Sequence, residues 1–246
     1  MAALVTIQVR ERVFRAFWRA TLLCWLAILG PFGARAAEPI RSGPATCPQV
    51  ALTFDVCPTH GKGFDEALVA LLERDHIPAT FFLSGRWIQT HAADTERLLA
   101  NPSFEIGTHG QRHAHLPTLG AIGQRAEIGD AVQLLETRFG QHPTLFRPPY
   151  GEWNGTTLAV AHALGQQTVL WSIVSGDPDP HGSAHRVLST VAAGLTPGAI
   201  VIFHANGRGV GTAQAIEALH DDVLPRRGLH PVTVSVLLHG CSDARS

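Results

Sequence analysis

Five residues able to move protons or bind ions close apolar runs. "ALTFD" ends on Asp55, "FEIGTH" on His109, "TLFR" on Arg147 and "AIVIFH" on His204, while "WSIVSGD" runs through Ser175 and Gly176 into Asp177. Together these types can carry out a hydrolysis. A carboxylate takes a proton from water, and an imidazole returns one to a leaving group. An arginine can hold a carboxylate in place through two hydrogen bonds, so Arg147 is read either as the holder of a catalytic carboxylate or as a surface arginine at a structural turn. An acid beside a histidine raises its pKa, which makes Asp177 the partner of His204. His109 and His113 have i, i+4 spacing, which puts two imidazoles on one face of a helical turn and suits a divalent metal.

The stretch "DVC" adds either a donor or a small buried cysteine. Cys57 stands two residues beyond Asp55 and points to the same side in an extended segment. A His109–His113–Cys57 set would favour zinc over magnesium or calcium. His60 and Asp55 itself are the other candidate ligands. "HANGRG" places Asn206 and Arg208 next to His204, either as substrate contacts or as parts of a glycine-rich turn. His115 is a neighbour of the histidine pair, and Trp87, Trp153 and Trp171 are read as core or rim packing.

These residues need a scaffold that brings strand ends together. Strands are expected at 49–54, 79–83, 104–106, 144–146, 167–173, 199–203 and 232–234, with helices near 65–74, 94–100, 121–139, 156–164, 184–193 and 212–220. The strands are unbroken apolar runs, as in a parallel sheet covered on both faces. Alternating β and α elements point to an α/β barrel or a doubly wound sheet, and an irregular seven-stranded parallel (β/α) barrel is the first choice. The polar residues then collect at the C-terminal ends of the strands, where such folds assemble their sites. Cys47 enters the first strand and Cys241 follows the last. Those strands are neighbours in a barrel, so a Cys47–Cys241 disulfide is expected.

Residues 1–36 read as a signal peptide: an arginine-bearing flank, the apolar stretch "TLLCWLAILGPFGA" and a small-residue cleavage site at Ala34-Arg35-Ala36. The apolar run is short for a bilayer span and is broken by Gly30 and Pro31, so no stable span is expected after processing. Residues 37–246 are expected to form a single domain. Removing the five arginines and Glu11 of the leader takes the formal charge from −1 to −5, and no basic block argues for a nucleic-acid partner. Export to the periplasm or beyond would permit the disulfide.

The motifs "TFD", "THGQRH", "RPPYG" and "IFH", in that order and at those strand ends, resemble the polysaccharide deacetylases, the nodulation-protein-B homology group or carbohydrate esterase family 4. The resemblance spans roughly residues 48–240. It implies a distorted (β/α) barrel and metal-assisted removal of acetyl groups from glycans such as peptidoglycan, chitin-like oligomers or exopolysaccharide. Carried over by position, Asp55 is similar to the general base, His109 and His113 to the metal-binding histidines, and Arg147 to the residue orienting the base. His204 is similar to the general acid tuned by Asp177, and the backbone N–H of Tyr150 to part of the oxyanion site. The chain departs from the pattern at "DVC", where the family usually has Asp-Asp-Gly with a metal-binding second Asp, and at Asp177-Pro178, where it usually has Asp-Trp. Three functions follow as expectations: an exported metal-dependent deacetylase, a non-catalytic carbohydrate-binding relative, or a metal-independent hydrolase of small linear amides.

Overall fold

In the computed structural model, which describes residues 38–59 and 63–241, the first apolar run forms β1 (Gln49–Val56), buried from Val50 onward. The expected signal peptide and His60 lie outside the described residues. Alternation along a strand sends successive side chains to opposite faces. Val50, Leu52, Phe54 and Val56 enter one apolar cluster, together with Leu68, Leu72 and Trp87 from covering helices, whereas Ala51 joins a second cluster. β2 (Ala79–Leu83) and β7 (Ile200–His204) divide in the same way. Phe81, Leu83, Val201 and Phe203 join the first cluster, and Phe82 and Ile200 join the second. An unbroken apolar strand therefore serves two cores, one under the helices and one inside the barrel. Phe54 stacks on Phe81 at 5.2 Å and on Phe203 at 5.5 Å. Its truncation to alanine would cost about 3–5 kcal/mol.

The remaining strands are β3 (Phe104–Thr108), β4 (Leu145–Phe146), β5 (Gln167–Thr168), β6 (Ile173–Val174) and β8 (His230–Val232). All ladders are parallel, in the order β5-β4-β3-β2-β1-β7-β6, with β8 also paired to β1. The strand expected at 167–173 is two short pieces. β5 pairs with β4 at one end of the sheet and β6 with β7 at the other, so one continuous stretch of chain joins the two ends and curls the sheet into the irregular barrel. Between the two pieces, the carbonyls of Val169 and Leu170 accept hydrogen bonds from Arg147 instead.

Helices α1 (Glu66–Arg74), α2 (Gly85–Thr90), α3 (Ala92–Ala100), α4 (Ala121–Phe139), α5 (Gly155–Ala163), α6 (Ala184–Gly194), α7 (Thr212–Ala218) and α8 (Val234–His239) cover the barrel. α2 was not expected from the sequence. Start signals are local: Asp65 accepts the Leu68 N–H at the head of α1, and Asn154 and Thr157 form a reciprocal capping box at the head of α5. At the last turn of the chain, β8 lies beside β1 and α8 folds back, and Cys47 is bonded to Cys241 as expected. The bond spans 194 residues, which corresponds to a stabilisation of about 5 kcal/mol on a chain-entropy basis. Among the described residues, no helix is long and apolar enough to cross a membrane.

Candidate active site

The C-terminal ends of β1, β3, β4, β6 and β7 open onto one cavity of about 220 Å³, lined by Asp55, Cys57, His109, His113, Tyr150, Trp171, Val174, Asp177, His204 and Arg208 among others. The alternation that sorts the core also sorts the site. Asp55 and Cys57 face the cavity, and Val56 between them is fully buried in the outer core.

Arg147 lies wholly inside the protein beneath Asp55. One terminal nitrogen donates to Asp55 Oδ1 and to Thr53 Oγ1, both at 2.8 Å, and the other donates to the Leu170 carbonyl at 3.1 Å. The guanidinium stacks 4.0 Å above the Phe82 ring. The two-bond grip on the carboxylate expected from the sequence is therefore a single bond, because the fork is shared among four oxygens. This leaves Asp55 Oδ2 directed elsewhere, 3.5 Å from His109 Nε2. Burial alone would raise the Asp55 pKa, but the interactions with His109, Arg147 and His204 outweigh it and hold the carboxyl below its usual value. Asp55 is thus a buried carboxylate that stays ionised.

His204 is built the other way round. Its Nδ1–H donates to Asp177 Oδ1 at 2.9 Å and its backbone N–H to Oδ2 at 2.8 Å. Asp177 is fully buried and also accepts from the hydroxyls of Ser175 and Thr212. A Cβ on Gly209 would come within 2.2 Å of the Thr212 hydroxyl, so only glycine leaves that bond intact. Burial lowers the His204 pKa, but the hydrogen bond and charge of Asp177 outweigh it, and the net shift is upward. The imidazolium form is favoured.

The histidine pair corrects a sequence expectation. His109 and His113 do not share a helical turn: residues 109–115 lie outside helix and strand, and His113 has φ 63°. The rings nevertheless meet edge to face, 4.8 Å between centroids. His109 Nδ1 is 2.8 Å from the Arg147 carbonyl, which can only accept, so this nitrogen carries the proton and Nε2 keeps a lone pair when the ring is neutral. Burial lowers both pKa values, that of His113 to about 3. These are two neutral nitrogen donors. A tight zinc site needs at least three protein ligands, and among the described residues no three His, Cys, Asp or Glu side chains converge to hold an ion. Cys57 does not complete the set. Its Sγ accepts from Asn206 Nδ2 at 3.1 Å, and burial followed by the Asp55 charge pushes the thiol up to about 11. The donor set thus does not fit the three-ligand metal site that the family resemblance implies.

Asn206 is fully buried, its amide spent on the Cys57 carbonyl and sulfur, while its Oδ1 accepts the Arg208 N–H. It therefore shapes the turn, and Arg208 alone of the two reaches the cavity. Tyr150 sits at φ 60° in the Pro149–Gly151 turn. Its ring stacks on His115 at 4.1 Å, and His115 Nδ1 is 2.9 Å from Glu152. Tyr150 and Val174, both more than half exposed, form apolar edges at the cavity. Of the tryptophans, Trp87 is core, whereas Trp171 lines the cavity. Sequence reading missed Thr53 and Thr212. Thr53 carried a usable signal, a hydroxyl two residues before Asp55 and so on the same face of an apolar strand; Thr212 carried none.

A family model described as polysaccharide deacetylase matches residues 42–169. A chitin deacetylase from Pestalotiopsis sp. is 30% identical over 230 residues, covering 85% of this chain and 74% of that protein. A crystallised peptidoglycan N-acetylglucosamine deacetylase superposes with a TM-score of 0.77 at 26% identity, over 86% of this chain and 98% of the other. A carbohydrate esterase family 4 pseudoenzyme from Bacillus anthracis superposes with a TM-score of 0.74 at 23% identity, over 82% of this chain and 69% of the other, a likeness of fold. Two further curated relatives are longer, and the match spans 55% of one and 26% of the other.

Proposed function

The chain belongs to the polysaccharide deacetylase family, and on that premise we propose that it is an exported hydrolase that removes acetyl groups from N-acetylated sugars of a glycan. The observation that carries this reading is the pairing of an ionised Asp55 with a His204 biased toward its protonated form, both lining one small cavity. The exposed apolar edges at Tyr150 and Val174 suit a sugar ring, and relatives named for chitin and peptidoglycan support an N-acetylated glycan.

In this mechanism Asp55 accepts a proton from water as the oxygen attacks the acetyl carbon, and Arg147 keeps the carboxylate in place. The tetrahedral oxyanion is met by the backbone N–H of Tyr150. His204 gives its Nε2 proton to the departing nitrogen, which leaves as an amine, and acetate remains. Solvent then carries the proton from Asp55 back to His204. These steps use only the chain's own groups. The two-imidazole donor set favours a second reading, a metal-independent hydrolase of small linear amides.

The test is acetate release from chitin oligomers, peptidoglycan fragments and short N-acetyl amides, with and without chelator. Release from the sugars supports the first reading, and chelator-resistant release from the short amides alone supports the second. No release from any of them would leave a carbohydrate-binding relative.

A further inference from the structure

We propose that Glu127 is a positioning residue for His113. This rests on the reading that the pocket, which His113 lines, is the reaction site. Glu127 lies on the inner face of α4 and is fully buried. Its Oε1 accepts the backbone N–H of Arg112 at 2.6 Å and that of Ala114 at 3.1 Å, the two residues that flank His113. Its main-chain carbonyl accepts the Gln111 N–H at 2.7 Å.

A histidine at φ 63° is held against the preference of L residues for right-handed backbone. That turn at His113 brings the N–H groups on either side onto one oxygen, the concave arrangement with which backbone amides bind anions. Two backbone N–H groups held on this one buried oxygen can offset the strain. The loop wraps closely: a Cβ on Gly110 would stand 3.0 Å from Glu127 Oε1. The result is visible in the pocket, where the His113 ring meets His109 at 4.8 Å and Tyr150 at 4.4 Å between centroids. Arg112 Nε, 3.5 Å from Oε2 on a largely exposed side chain, is a minor partner.

Length rather than charge is what this role requires. Glu127→Gln keeps an oxygen at the same reach, Glu127→Asp keeps the charge one methylene short, and Glu127→Ala keeps neither. In full-length protein with 15N-labelled histidine, the Gln variant should reproduce the wild-type His113 ring resonances and acetate-release rate. The Asp and Ala variants should shift those resonances. An Asp variant that matches wild type, or a Gln variant as impaired as Ala, overturns the proposal. So does a folded Ala variant with unshifted His113 resonances. If the Asp and Ala variants fail to fold, Glu127 is a folding element and the proposal falls. If wild type releases no acetate, the catalytic reading fails, and the resonances alone still decide the role of Glu127.

Discussion

Two acid–cation pairs line the same pocket, and they are arranged in opposite senses. In the Asp55–Arg147 pair the carboxylate opens to the cavity and the cation lies behind it, satisfied by Thr53 and two backbone carbonyls. In the His204–Asp177 pair the imidazole opens to the cavity and the acid lies behind it, satisfied by two hydroxyls and a backbone N–H. Both pairs are costly to bury and depend on complete hydrogen bonding. The member that reaches the cavity decides which way a proton moves. The same chemistry turned round gives an acceptor on one wall and a donor on the other.

The comparison breaks most severely at Asp55. Asp55→Asn should lower turnover by about 10²–10⁴-fold, the scale of lost general-base catalysis, in a protein with unchanged circular dichroism. Near-normal acetate release would remove Asp55 from the mechanism. Arg147→Met tests the buried half of the same pair. It leaves an uncompensated carboxylate and should destabilise the fold by about 3–5 kcal/mol in denaturant titrations. A loss below 1 kcal/mol would show that water already reaches Asp55. Thr53→Val is milder. The Thr53 hydroxyl donates to the Val201 carbonyl and accepts from Arg147, so its loss should cost about 1–3 kcal/mol and only a few-fold in rate. A rate loss as large as that of Asp55→Asn would make Thr53 part of the reaction itself. The smallest expected signal is metal. With two neutral imidazoles as its donors, dialysed protein should retain far less than one zinc per chain by elemental analysis. Stoichiometric, dialysis-resistant zinc would require a third ligand beside the two imidazoles, either Asp55 or a residue outside the described ones.

How far the sequence foretold this depends on the kind of feature. Asp55, His109, Arg147, Asp177 and His204 were legible because each interrupts an apolar run, and a parallel sheet gathers such interruptions at one end. The Cys47–Cys241 bond was legible from the neighbouring first and last strands. The split of the stretch 167–174 was not, because the carbonyls between its two pieces go to an arginine twenty residues earlier. The i, i+4 spacing of His109 and His113 suggested a helical turn, but a left-handed residue and a buried glutamate, Glu127, bring the rings together in a loop. Cys57 was legible as pocket-facing by its parity with Asp55. Its bond to Asn206 depends on a contact between residues far apart in the chain.

The opposed arrangement of the two pairs makes one direct demand on pH. Asp55 must be ionised and its pKa is lowered, so the acid limb of the rate should fall below the ordinary aspartate value of about 3.9. His204 must be protonated and its pKa is raised, so the alkaline limb should lie above about 6.5. The decisive measurement is the pH profile of acetate release, kcat/KM, for wild type and Asp177→Asn. Removing the charge that raises His204 should move the alkaline limb to lower pH and leave the acid limb in place. A profile in which the rate keeps rising with pH through the alkaline range, or an Asp177→Asn variant whose alkaline limb does not move, would contradict the assignment of His204 as the proton donor.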